Sequence, residues 1–138
     1  MSVVTGYKFD AHEDSTPTLL ARVCFRDATG AASPEAIEGN LAVAADLSEI
    51  EVKTHYLTDP TVAIITDTIT GTISTYVTTL NTTGIWLTIV GGGNFLYDVP
   101  VANLPTAGDY KIEVKFTTTG GSVGYAIWYP NVLETIGS

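Results

Sequence analysis

A strict two-residue alternation in Leu104-Pro105-Thr106-Ala107-Gly108-Asp109-Tyr110-Lys111-Ile112-Glu113-Val114-Lys115-Phe116 constrains this chain more than any other feature. Tyr110, Ile112, Val114 and Phe116 fall on one parity; Lys111, Glu113 and Lys115 fall on the other. Alternate side chains of a strand point to opposite faces, so the pattern predicts a half-buried β-strand with a charged outer face. A turn containing Pro105 and Gly108 delivers Tyr110 into that strand. A tyrosine at such a corner is expected to bury its ring and bond its hydroxyl to backbone in the 101–108 loop. Gly108 and Tyr110 are therefore the expected structural corner.

The same period recurs along the chain. Thr18–Asp27 sets Leu19, Ala21, Val23 and Phe25 against Arg22 and Arg26. Glu49–Leu57 sets Ile50, Val52, Thr54 and Tyr56 against Glu49, Glu51, Lys53 and His55, and Asp59-Pro60 ends it. Val62–Thr66 and Thr68–Val77 are expected strands, the second broken at Gly71, with a bend or bulge at Asp67 between them. Gly84–Val90 and Phe95–Val99 read as a hairpin around Gly91-Gly92-Gly93-Asn94. Thr119-Gly120-Gly121-Ser122 turns the chain into Val123–Tyr129, which Pro130 is expected to break, and Val132–Ile136 is a short final strand or tail. Leu41–Ala45 is short and apolar, and Pro34–Glu38 suits one helical turn behind a Ser33 cap. Seven to nine short strands with turn signals every ~8–12 residues predict an all-β sandwich, with a small barrel as the other candidate. Residues 1–17, polar and ending at Pro17, read as an N-terminal arm on a sandwich domain spanning 18–138.

Composition excludes several partners. The 138 residues suffice for one domain with a core that needs no disulfide or metal. Net charge is −9 with only six basic residues, which opposes direct binding of nucleic acid or of an anionic membrane. Only 15% of residues are charged, and 22 are threonine, which suits strands whose outer face is wet without being charged. Sparse charge is also expected where much of a surface touches other subunits. The single cysteine, Cys24, excludes an internal disulfide and reads as a buried thiol. The start Met1-Ser2-Val3-Val4-Thr5 lacks a basic region followed by a long apolar run, so secretion by a signal peptide is not expected. No stretch reaches the length of a membrane helix.

No constellation of reactive residues stands out. Asp10, His12, Glu13 and Asp14 match no ligand spacing and read as a solvated loop. The only histidines are His12 and His55; His55 sits on a polar strand face, and no Gly-x-Ser-x-Gly elbow is present. A Cys24–His55 pair meets the same objection. Gly91-Gly92-Gly93 lacks the Lys-Ser/Thr of a phosphate-binding loop. Neither catalytic residues, nor a metal, nor a cofactor are expected. The aromatics are the candidates for contact. Trp86, Phe95 and Tyr97 lie on the hairpin; Tyr125, Ile127 and Tyr129 share one face of the last long strand, and Trp128 takes the other. Tyr7, Phe9, Trp86, Trp128 and Tyr129 are the expected interface residues, with Trp128 foremost. Exposed Trp and Tyr would equally suit stacking on sugar rings.

Gly93-Asn94-Phe95, Asp98-Val99-Pro100, Gly108–Phe116 and Gly121–Ile127, with Ala45-Asp46-Leu47-Ser48-Glu49-Ile50 before an alternating strand, carry a likeness. Over roughly residues 18–136 the pattern resembles immunoglobulin-like domains in virion proteins of tailed bacteriophages: head decoration, neck, tail or baseplate components. The Cys-Trp-Cys set of antibody domains is absent. The resemblance implies an immunoglobulin-like antiparallel sandwich and a non-enzymatic structural role in a virion, exerted through contacts with other virion proteins or copies of itself in a homo-oligomeric assembly. The arm is expected to add to a neighbour's sheet edge, with the Thr-rich edge around Thr68–Val77 as an acceptor. The alternative function is a carbohydrate-binding module using Trp128 and Tyr129, or Trp86.

Overall fold

Alternation along the chain builds two β-sheets. A computed structural model describes residues 7–22, 47–78, 94–121 and 123–136. They contain eight strands: β1 (Tyr7–His12), β2 (Thr18–Arg22), β3 (Leu47–Tyr56), β4 (Ile65–Ile69), β5 (Val77–Thr78), β6 (Asn94–Asp98), β7 (Gly108–Thr118) and β8 (Val123–Leu133). A helical turn, α1 (Ile73–Tyr76), leads into β5, and a 3-10 turn at Val101–Asn103 precedes β7. One sheet has the order β1-β8-β7-β3-β4 and the other β2-β6-β5. Every pairing is antiparallel except that of β1 with β8, which is parallel. The fold is all-β. No helix among the described residues is long and apolar enough to cross a membrane.

The core lies between the sheets and follows the predicted parities. Ile50 and Val52 of β3 and Ile112, Val114 and Phe116 of β7 are buried on one side; Leu19 of β2 and Phe95 and Tyr97 of β6 are buried on the other. Phe95 joins them. Its ring meets Phe116 edge-on at a centroid distance of 5.0 Å and lies 6.4 Å from Trp128. Edge-to-face contact sets the positive edge of one ring against the negative face of the other, adding to the burial of both.

The corner at the start of β7 has the expected form. Tyr110 is buried, and its hydroxyl donates to the Thr106 carbonyl at 2.7 Å and accepts from the Thr106 N–H at 3.2 Å. Tyr56 packs against it, ring centroids 4.8 Å apart, and donates to the Ala107 carbonyl at 2.7 Å. Gly108 is fixed twice over. Its φ is +139°, and a Cβ there would fall 2.6 Å from Thr58 Oγ1 and 2.7 Å from the Tyr56 ring.

Five segments depart from expectation. Of the expected strand Val62–Thr66 only Ile65 and Thr66 are strand, at the start of β4. Tyr7–His12, within the predicted arm, is an edge strand of the chain's own sheet. Asp67 marks no bend; it sits mid-strand in β4 opposite Val52, and the Tyr97 hydroxyl donates to its Oδ2 at 2.8 Å, which satisfies the inward carboxylate without a bulge. The expected strand Thr68–Val77 is divided among the end of β4, α1 and the start of β5. Pro130 does not end its strand. The β7–β8 register passes from Asp109↔Asn131 to Ile112↔Trp128, so the ladder lapses beside the residue with no N–H, while β1 pairs straight past it through Phe9↔Pro130. Gly84–Val90, Gly91–Gly93, Pro34–Glu38, Leu41–Ala45 and Cys24 lie outside the described residues.

Candidate interaction face

The outer face of the five-stranded sheet collects the polar parity of its strands. Lys8 and Asp10 come from β1, Tyr129 and Asn131 from β8, Lys111, Glu113 and Lys115 from β7, and Glu51, Lys53 and His55 from β3. Register sets opposite charges across the strands: Glu51 faces Lys115, and Lys53 faces Glu113. Along the strands Lys53 Nζ lies 3.4 Å from Glu51 and Lys111 Nζ 3.5 Å from Glu113. All four lysines of the chain stand on this face. Tyr125, Ile127 and Tyr129 form a half-buried stripe down β8, between the charges of β7 and those of β1.

Trp128 is not on this face, and the expectation that it meets a partner is corrected. It is 4% exposed and packs in the core near Phe95. The reason is volume. Gly124 sits beside Phe116, and Ala126 beside Val114, so the inward parity of β8 supplies small residues where its neighbours are large, and the indole fills the space beside Ile112. A sugar platform built on Trp128 is lost with its burial. Of the other expected contact residues, Tyr7 is 56% exposed, Phe9 packs half-buried at the core's margin, and Tyr129 is half-buried on the outer face. Trp86 lies outside the described residues.

A cleft of about 540 Å³ opens where β1, β8 and the β7 corner meet, lined in part by Lys8, Asp10, Thr58, Tyr129 and Asn131. Its floor is ordered by side chains: Asn131 Nδ2 donates to Asp109 Oδ1 at 2.7 Å, and the Asp109 N–H donates to Thr58 Oγ1 at 2.9 Å. Beside it, between β3 and the loop before β7, a cavity of about 90 Å³ borders Thr54. Thr54 Oγ1 is buried without a hydrogen-bond partner among the described residues. A third hollow, about 390 Å³, contains Asp67, Tyr97 and Asp98. Burial pushes the Tyr97 phenol well above its ordinary pKa, and the bond to Asp67 and its charge add to the effect. Tyr110 is raised too, mainly by burial. Among the described residues no three His, Cys, Asp or Glu side chains converge on a site that would hold a metal.

No protein-family model matches this chain, and no curated protein matches it. The face therefore has to be read from its own chemistry. It offers backbone-ordered charges of both signs and a strip of phenols, which suits contact with another protein surface. Lys53, Lys111 and Lys115 were visible in the sequence as the off-parity residues of two strands, whereas Lys8 fell in a segment read as an arm. That the strands are neighbours, which makes them one face, was not.

Proposed function

We propose that the protein is a non-enzymatic structural component of a phage-like virion, acting through protein–protein contacts on the outer face of its five-stranded sheet. One observation carries the reading. A chain of net charge −9 gathers all its lysines on a single face, interleaves them with carboxylates and adds Tyr125, Ile127 and Tyr129. Copies so acidic repel one another over most of their surface, and a charge-balanced face is where they approach at least cost. The half-buried phenols and isoleucine supply apolar area there.

We read the sandwich as immunoglobulin-like. The parallel seating of β1 on β8, the antiparallel β8-β7-β3 centre and the tyrosine corner at the head of β7 support that reading. The virion role rests on the pattern likeness of residues 18–136 to phage domains.

Sedimentation velocity of the wild-type chain alone, and mixed with any capsid, neck or tail proteins found encoded beside it, tests the function. We expect self-association or a stable complex that Ile127→Asp and Tyr129→Asp weaken at least tenfold without unfolding the chain. A wild-type chain that stays monomeric and unbound in every mixture contradicts the proposal.

A further inference from the structure

We propose that β1 is an exchangeable strand, and that its seat along β8 accepts the β1 of a second copy of this chain. The inference rests on the protein-contact reading above and names the partner and the surface.

The seat is already seen filled in the strand's own molecule. Six residues of β1 pair with β8, from Tyr7↔Trp128 to His12↔Leu133. The same segment from a neighbour would make the same contacts, so complementarity is guaranteed by identity. Little else holds β1 in place. It lies at the edge of its sheet and pairs on one side only among the described residues. Its burial is slight: Ala11 is buried, Phe9 half-buried and Tyr7, Lys8, Asp10 and His12 exposed. Strands with few buried contacts open locally without the rest of the domain.

The connection to β2 is built as a hinge. Beyond β1 the Glu13 N–H donates to the Leu133 carbonyl at 2.9 Å, and Thr135 Oγ1 donates to the Glu13 carbonyl at 3.1 Å. These bonds travel with the seat, because a neighbour's Glu13 makes them equally well. The next residue, Asp14, has a φ of +61°, the single non-glycine in the left-handed region among the described residues. The Ser15 N–H and hydroxyl both bond the His12 carbonyl, folding the link back on itself. Releasing β1 unfolds this tight turn and frees Asp14 from a conformation that costs most L-residues energy. The closed and exchanged forms then differ mainly in the hinge and in concentration. An assembly that holds copies side by side raises the local concentration of the neighbour's strand and favours exchange.

Two single-cysteine chains test this directly. Both carry Cys24→Ser; one adds Lys8→Cys and the other Tyr129→Cys, positions paired across β1 and β8 on the outer face. The two are mixed at high protein concentration, warmed below the unfolding transition and oxidised. Exchange predicts a disulfide-linked heterodimer well above an out-of-register control that pairs Lys8→Cys with Tyr125→Cys. Asp14→Gly, which relaxes the closed hinge, is expected to lower the heterodimer about fivefold. A mixture that cross-links no more than the control overturns the exchange. Sedimentation of the wild-type chain, alone and in the mixtures above, separates the two ideas: association or complex formation without the cross-link removes only strand exchange, whereas a chain that stays monomeric and unbound in every mixture removes the protein-contact reading too.

Discussion

β7 and β1 belong to the same sheet and are held by different forces. β7 is central, paired on both sides, and buries Tyr110, Ile112, Val114 and Phe116 beneath it. Among the described residues β1 is marginal, paired on one side, and buries little beyond Ala11. One is fixed by packing and a hydrogen-bonded corner, the other by a backbone ladder that any identical strand reproduces. Stability concentrated at the centre leaves the margin free to take part in assembly.

The contrast can be broken at its strong end first. Phe95→Ala removes the ring that links β6 to Phe116 and Trp128 and should cost about 4 kcal/mol in denaturant unfolding. Phe9→Ala on the marginal strand should cost about 1 kcal/mol, since only half of the ring is buried. Equal losses would erase the distinction. Gly108→Ala puts a Cβ against Thr58 and Tyr56 at a φ of +139°, and a loss of about 3 kcal/mol is expected. Tyr110→Phe keeps the ring and strips both bonds to Thr106, for a loss of roughly 1.5 kcal/mol. Thr54→Val should move the other way, raising stability by up to about 1 kcal/mol, because it replaces a buried hydroxyl that has no partner among the described residues.

The phenols add a pH dependence. Tyr97 and Tyr110 hold their protons more tightly when folded than when unfolded. Above pH 10 the unfolded chain therefore loses protons that the folded chain keeps, and stability falls as pH rises. Their contribution is fully present below pH 10, so a thermal scan across pH 9–11.5 should show the midpoint dropping only in the upper part, with a smaller drop in Tyr97→Phe.

Much of this centre was legible in the sequence. The alternation of β3 and β7 named their buried faces, and Gly108-Asp109-Tyr110 named the corner down to the loop that receives the hydroxyl. What escaped was context. The inward parity of β8 holds Gly124 and Ala126, which carry almost no hydrophobic signal, so Trp128 looked like an outlier when it was filling the core beside them. Pro130 looked like a terminator because its neighbours in space were unknown; a local lapse in one ladder accommodates it. The parallel seating of β1 joins residues over a hundred positions apart, and nothing in a polar segment ending at Pro17 announces its partner.

Native-state hydrogen exchange, read residue by residue, bears most directly on the division between centre and margin. The account predicts that β1 amides exchange by local opening, roughly 100-fold or more faster than those of β7 and insensitive to low denaturant, while β7 exchanges only with global unfolding. Amides of β1 and β7 that share one protection level and one denaturant dependence would contradict it.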